Sequence, residues 1–483
     1  MDTSAPLLSH KKTIFLASAL GLFLELALIR WVSCEVRIFA YFKNMVLVAC
    51  FLGFGTGCLL YRHRPQLLQA LLLLLLLSLV IQLPWQPLLD YGPRRISSIL
   101  ADLPGLMIFK LDETFLTWSG FVGLVFAISW AILLFLTLAM IMVPFGQIVA
   151  SSMAEMSERP LAAYSINVAG SLAGILIYTL MTMLELPPIC WFVPAALLFL
   201  FLPSAQSARK EVLALTLALT LTHLPNNTFQ ETVIWSPYQK IALIKGEDVL
   251  VNNIRHQWMS KQPSLIKDKN PSIKVTLIPY LMHQPPGRVL VLGSGTGNDV
   301  AAALGAGAES VTAVEIDPVI VDIGTALHPQ KPYDDPRVTV VLDDARHFLR
   351  TTTESFDLIV FGVLDSHTAL SSFTNVRLDD YIYTVESLED ARKRLRPGGM
   401  LNIAFWIERP YIAARLSRNL TEAFDHEPVA MFGSVEQESG WRIAIFCTAE
   451  KEWMSLVETQ ARRFPSMQRF YVKGKPVVAS TDD

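Results

Sequence analysis

The chain has 483 residues, enough for two domains or more. Apolar side chains make up 52% and charged ones 17%, too few for a wholly soluble protein, and the net charge of −3 offers no basic surface for nucleic acid. Five cysteines (Cys34, Cys50, Cys58, Cys190 and Cys447) show neither CxxC nor Cys/His spacing, so no metal site and no disulfide framework is indicated.

The apolar excess lies before about residue 224. Apolar stretches fall near 13–33, 45–61, 66–89, 119–143, 161–183 and 187–203, each close to the ~20 residues that cross a bilayer, with a shorter seventh at 211–223. These define an expected multi-pass membrane domain over residues 1–224. Six spans place the N-terminus on the cytosolic side and seven place it outside; the positive-inside bias is weak, and six is preferred. The first run lacks a small-residue cleavage site and is read as a retained helix. Glu25 and Arg30 are charges within it, where Arg30 has the option of snorkelling to the interface and Glu25 does not. Gly53-x-x-x-Gly57 and Gly170-x-x-x-Gly174 allow close helix contact, within one subunit in preference to a dimer interface. Pro144-Phe145-Gly146-Gln147 is read as a break in the fourth span, Asn167 as a polar residue inside the fifth, and 84–119 as a segment lying along the far surface.

From Glu231 the pattern changes. Clusters of β-formers at 232–234, 240–244 and 249–251 flank turn residues and predict a small β-hairpin subdomain over 230–284. Strands expected near 288–293, 311–315, 338–342, 357–361 and 400–405 then alternate with helices near 298–306, 318–325, 344–350 and 386–395. Alternation of this kind predicts a mostly parallel, doubly wound sheet over 285–483. The expected fold class is therefore an α-helical polytopic membrane domain followed by an α/β Rossmann-like domain of the class I methyltransferase type.

Three strand ends carry the chemistry. Gly293, Gly295 and Gly297 let backbone approach a ligand where a Cβ would collide, and the loop continues into Asn298 and Asp299. Glu315 ends the next strand about 20 residues on, placed to accept from ribose hydroxyls. Asp343, Asp344 and Ala345 form a third turn, where an N-cap role is compatible with ligand contact. Together these point to one nucleoside across the sheet edge, an S-adenosylmethionine-like ligand in preference to NAD or FAD, with Asp299 counted among its contacts.

Trp235-Ser236-Pro237-Tyr238-Gln239-Lys240-Ile241, the Gly-x-Gly-x-Gly loop, Val314-Glu315-Ile316-Asp317-Pro318 and Asp344-Ala345 together resemble the polyamine aminopropyltransferases, or spermidine synthases. Residues 13–33 and Tyr164 to Gly170 are similar to the branch of that family fused to an N-terminal multi-span domain. The resemblance implies nucleoside contacts for Gln239, Glu315 and Asp344. It also implies decarboxylated S-adenosylmethionine or S-adenosylmethionine as donor, a small-molecule amine as acceptor, and a possible homodimer. Two departures fall on the amine side. The family's Asp-x-x-Asp-Pro signature, whose first aspartate takes a proton from the attacking amine, reads here Gly362-Val363-Leu364-Asp365-Ser366. The Tyr-His-Glu motif that holds the amine is replaced by Leu277-Ile278-Pro279-Tyr280, and only His283 is similar to the family's next few residues.

Asp365 and His367 then stand as candidate catalytic groups, with Tyr383 and Glu386 as candidate substrate contacts. Three functions are compatible with these residues: aminopropyl transfer at a cell (inner) membrane with the catalytic domain cytosolic; methyl transfer or other sulfonium chemistry on a lipid-like acceptor reached through the membrane half; and a transporter or sensor regulated by its nucleoside domain. Membrane lipids are expected partners in each.

Overall fold

The computed structural model describes residues 4–36, 43–82, 118–202, 209–223, 231–261, 275–362, 364, 378–406, 410–434, 442–464, 468–469 and 480. The chain divides into two compact units, with the boundary between Ala242 and Leu243.

The first unit is helical: α1 (Ser4–Glu35), α2 (Lys43–Leu59), α3 (Leu67–Gln82), α4 (Trp118–Ala154), α5 (Pro160–Met183), α6 (Pro188–Leu198) and α7 (Arg209–Thr222), followed by strands β1 (Glu231–Trp235) and β2 (Lys240–Ile244). Among the described residues three helices are long and apolar enough to cross a membrane: His10–Glu35, Ile128–Ala154 and Pro160–Met183. The other expected spans form shorter apolar helices, and most of 84–119 lies outside the described residues.

Both glycine pairs pack helices of the same chain. A Cβ on Gly53 would stand 1.9 Å from the Ala139 carbonyl and one on Gly57 2.1 Å from that of Val143, which seats α2 on α4. Gly170 and Gly174 make the same approach to Phe15 and Ala19 and seat α5 on α1. The expected break at Pro144 is corrected: α4 runs unbroken through it. A proline removes one N–H and crowds one carbonyl, a loss that a helix held on both sides by packing absorbs. Asn167 is a tie across the bundle, since Ser18 Oγ donates to its Oδ1 at 2.7 Å. Arg30 remains in the interior, its guanidinium stacked over Trp191 and Trp235 and donating to the Ser236 carbonyl. Leu52, Leu172, Leu176 and Leu180 face outward, an apolar exterior unusual for a helical bundle in water.

The second unit opens with an antiparallel pair, β3 (Asp248–Val251) and β4 (Ile254–Trp258), the latter an addition to the expected strands. After α8 (Ile278–Met282) come β5 (Arg288–Leu292), α9 (Asn298–Gly305), β6 (Ser310–Glu315), α10 (Pro318–Leu327), β7 (Val338–Leu342), α11 (Ala345–Thr351), β8 (Phe356–Phe361), α12 (Val385–Lys393) and β9 (Leu395–Trp406). The chain ends with α13 (Pro410–Phe424), β10 (Val429–Ser434), β11 (Arg442–Ala449), α14 (Met454–Ala461) and β12 (Gln468–Arg469).

The sheet order is β12-β10-β11-β9-β8-β5-β6-β7. Pairs among β7, β6, β5, β8 and β9 are parallel, and β9 to β12 pair antiparallel. Val289 to Leu292 are all fully buried, as a central strand covered on both faces requires. The chain leaves β5 for β6 and β7, then returns to the other side of β5 as β8. The carboxyl ends of β5 and β8 therefore flank a topological switch point, where ligands of open α/β sheets bind.

Candidate active site

The loop after β5 is built by backbone hydrogen bonds to β6. The N–H groups of Gly293 and Ser294 both donate to the Val314 carbonyl, at 2.9 and 3.0 Å. Gly295 takes a φ of +57°, open to glycine and costly for other residues, and this turns its N–H toward the end of β6. There Glu315 Oε2 accepts it at 2.9 Å, while Oε1 accepts from Ile316 and Asp317 at 3.0 and 3.1 Å. Glycine loop and acid, 20 residues apart, thus form one structure. Burial pushes the Glu315 carboxyl above the usual carboxylate range, against the pull of its N–H donors. Three donors leave an ionised carboxylate with acceptor capacity to spare, so a ribose hydroxyl fits beside them.

A residue missed in the sequence completes the loop. Gln257, on β4, accepts the Thr296 N–H on Oε1 at 2.9 Å, and a Cβ on Gly295 would stand 2.6 Å from that oxygen. Asn298 fastens the same strand, donating to the Trp258 carbonyl at 2.9 Å and accepting from Ser260 N–H at 3.2 Å. Tyr333 closes the far side, its hydroxyl 2.6 Å from the Gly295 carbonyl and 2.9 Å from Ser294 Oγ. β4 reads Ile254-Arg255-His256-Gln257-Trp258, and nothing in that mixed run singles out Gln257.

The third strand end is also ordered locally. Asp344 caps α11, accepting the His347 N–H at 2.9 Å, and Ala345 opens that helix. Asp343 accepts the Asp344 N–H at 2.8 Å and pairs with His347 Nδ1 at 2.7 Å.

On the switch-point side, Gly362 N–H donates to the Leu292 carbonyl at 3.0 Å. A Cβ on Gly362 would lie 2.9 Å from the Gly293 carbonyl, so the glycine loop rests directly on this position. The same Cβ would lie 3.6 Å from Asp299 Oδ2. Asp299 is half-buried in the first turn of α9, and burial pushes its carboxyl up to about 6. Its backbone carbonyl accepts the hydroxyl of the fully buried Tyr280 at 3.0 Å. Leu364 lies over Gly293.

Tyr383 lies tilted against Phe361 at the end of β8, ring centroids 6.3 Å apart, and edge-on against Phe405 at 5.2 Å. Glu386 sits in the first turn of α12. Gln239 lies in the first unit, in a turn where Ser236 Oγ accepts its N–H at 3.0 Å. Asp365 and His367 fall outside the described residues.

A mixed sheet whose parallel strands carry a glycine loop at the switch point, an acid at the next strand end and a capped acidic turn beyond it defines a Rossmann-like domain of the class I methyltransferase type. Residues 273–449 match the spermine/spermidine synthase domain. Among curated proteins, it is 31% identical over 131 residues to polyamine aminopropyltransferase 1 of Pseudomonas aeruginosa, covering 26% of this chain and 43% of that one. It is 28% identical over 130 residues to the polyamine aminopropyltransferase of Thermoplasma volcanium, covering 26% and 44%. The chain thus spans less than half the length of the curated relatives it matches. The crystal structure of a probable spermidine synthase from Corynebacterium glutamicum superposes with a TM-score of 0.36 at 16% identity, over 52% of this chain and 96% of that one.

Proposed function

We propose that this protein is a membrane-bound transferase that takes a sulfonium nucleoside, decarboxylated S-adenosylmethionine or S-adenosylmethionine, and passes an aminopropyl group to an amine. The observation that carries this reading is the Gly295–Glu315 hydrogen bond, which joins glycine loop and ribose-type acid at the switch point of a spermidine synthase domain. Gly293, Gly295, Gly297 and Glu315 would hold the tail and ribose, with Asp343, Asp344 and Ala345 beside the base. Gln239 is proposed as a further nucleoside contact, and Asp365, His367, Tyr383 and Glu386 as groups on the acceptor side. In the step itself the amine nitrogen attacks the carbon next to the sulfonium. A C–N bond forms, the C–S pair returns to sulfur as a thioether, and the amine sheds one proton. Such a displacement gains most from alignment, which the rigid loop supplies. The long apolar helices and the outward leucines of the helical unit support a membrane location; a cytosolic catalytic domain is proposed because its nucleoside donor would be cytosolic.

One observation favours a second reading, methyl transfer to a lipid-like acceptor. Gly362 stands where the family carries a base, and the loop carbonyl packed on it leaves no room for a side chain. Calorimetric titration of the detergent-purified protein with both sulfonium nucleosides separates the two. Tighter binding of the decarboxylated form supports aminopropyl transfer; preference for the carboxylated form overturns it in favour of methyl transfer.

A further inference from the structure

We infer that Asp299 does the work of the base absent at Gly362: its carboxylate, reaching in from α9, meets the attacking amine and takes its proton. This rests on the aminopropyl-transfer reading and names the group that completes it.

The geometry begins with the space beside a glycine. Any side chain at position 362 would start from a Cβ 3.6 Å from Asp299 Oδ2, so the Asp299 carboxylate lies in van der Waals contact with the point from which an aspartate at 362 would project. The residue just after β8 has no side chain, and the first turn of α9 presents a carboxylate beside it. The Gly293 carbonyl, 2.9 Å from the same Cβ position, disfavours a side chain there, because an aspartate at 362 would displace the glycine loop.

Asp299 is held for this task without being consumed by it. Tyr280 donates to its backbone carbonyl at 3.0 Å, fixing the helix turn while leaving the carboxylate unclaimed by that contact. Among the described residues no ion pair neutralises Asp299. The titratable side chains that feel it, Tyr280 and Tyr333, are both driven upward by burial and stay protonated near neutrality. Burial brings Asp299 itself to about 6, closer to the working pH than an ordinary carboxylate and therefore a better proton acceptor. Its place also distinguishes it from the ribose acid: Glu315 ends β6, whereas Asp299 faces the β5–β8 switch point.

The chemistry balances with this one group. The amine nitrogen forms its bond to carbon, the C–S bond breaks with its electron pair on sulfur, and Asp299 takes the displaced proton and later releases it to solvent.

The test uses the full-length protein in detergent, with decarboxylated S-adenosylmethionine as donor, a panel of diamines as acceptors, and the thioether nucleoside product as binding probe. For Asp299→Asn the expected result is a fall in kcat of about 10²-fold or more, far larger than any change in affinity for the thioether nucleoside. Asp299→Glu should restore part of kcat, and the wild-type rate should drop as pH falls through about 6, a limb absent from the Asn variant. Asp299→Asn with wild-type kcat, or with thioether affinity lost in parallel, overturns the inference. Wild-type protein that binds the nucleoside but aminopropylates no amine overturns the transfer reading itself, and this inference with it.

Discussion

Gln257 Oε1 accepts the Thr296 N–H at 2.9 Å, so a strand of the small antiparallel pair holds the middle of the glycine loop from 39 residues away. Thr296 is fully buried, which leaves its N–H no water to turn to. Gln257→Ala should therefore cost about 1–3 kcal/mol of stability, the usual penalty of an orphaned buried donor. It should also weaken nucleoside binding, because the loop loses its outer support. Gln257→Glu keeps the accepting oxygen and should retain most of the thermal stability. Equal melting temperatures for wild type and Gln257→Ala would show that the contact contributes nothing to holding the loop.

Glu315 has the opposite position in the same structure, at its inner wall. Glu315→Ala removes the acceptor of three N–H groups at once, together with the oxygens proposed to meet the ribose. Nucleoside binding should disappear from calorimetric titration at millimolar ligand. Unchanged affinity in the alanine variant would sink the site assignment.

The parts of this unit that were legible in the sequence are those encoded locally. Val289 to Leu292, followed at once by glycines at alternate positions, can only be a buried strand running into a ligand loop, and Asp317-Pro318 writes a helix start, with Asp317 Oδ1 accepting Val319 N–H at 3.1 Å. What escaped depends on chain segments meeting in space. Gln257 acquires its role only when β4 lies against the loop; Asp299 was legible as a candidate ligand contact, but its place beside Gly362 depends on α9 facing the end of β8. The antiparallel edge of β10, β11 and β12 escaped as well, because its apolar runs lack the strand–helix rhythm that identifies a parallel sheet. In the helical unit, Pro144 reads as a break because proline speaks for local backbone, and the packing of α4 overrides it.

Asp299 should betray its role in stability as well as in rate. Its folded carboxyl titrates near 6, above the ordinary value of 3.8, so between those limits the folded protein holds a proton that the unfolded chain has released. That contribution is complete below about pH 4, is lost as pH rises toward 6, and leaves a constant penalty above it. Asp299→Asn escapes the penalty. The variant should melt higher than wild type at about pH 7.5, and the difference should shrink steadily toward about pH 4.5. A gap that is the same at both pH values would mean that the carboxylate is not perturbed by burial.

The first unit contains a buried ion pair whose value lies in its completeness. Lys240 Nζ sits 2.8 and 3.0 Å from the two oxygens of Glu35, with both side chains almost wholly shielded. Removing both charges from water is expensive, and their attraction repays that cost only while both partners are present. Lys240→Met removes the ion-pair partner of Glu35 at the end of α1 and should cost about 3–5 kcal/mol, read as a large drop in melting temperature or in the yield of folded protein. The double variant Lys240→Met/Glu35→Gln leaves no charge to desolvate and should recover much of the loss. Strict additivity of the two single effects would show that the pair is not coupled. Recovery would mark it as a device that fixes where β2 begins against α1, since the apolar substitute does as well for stability.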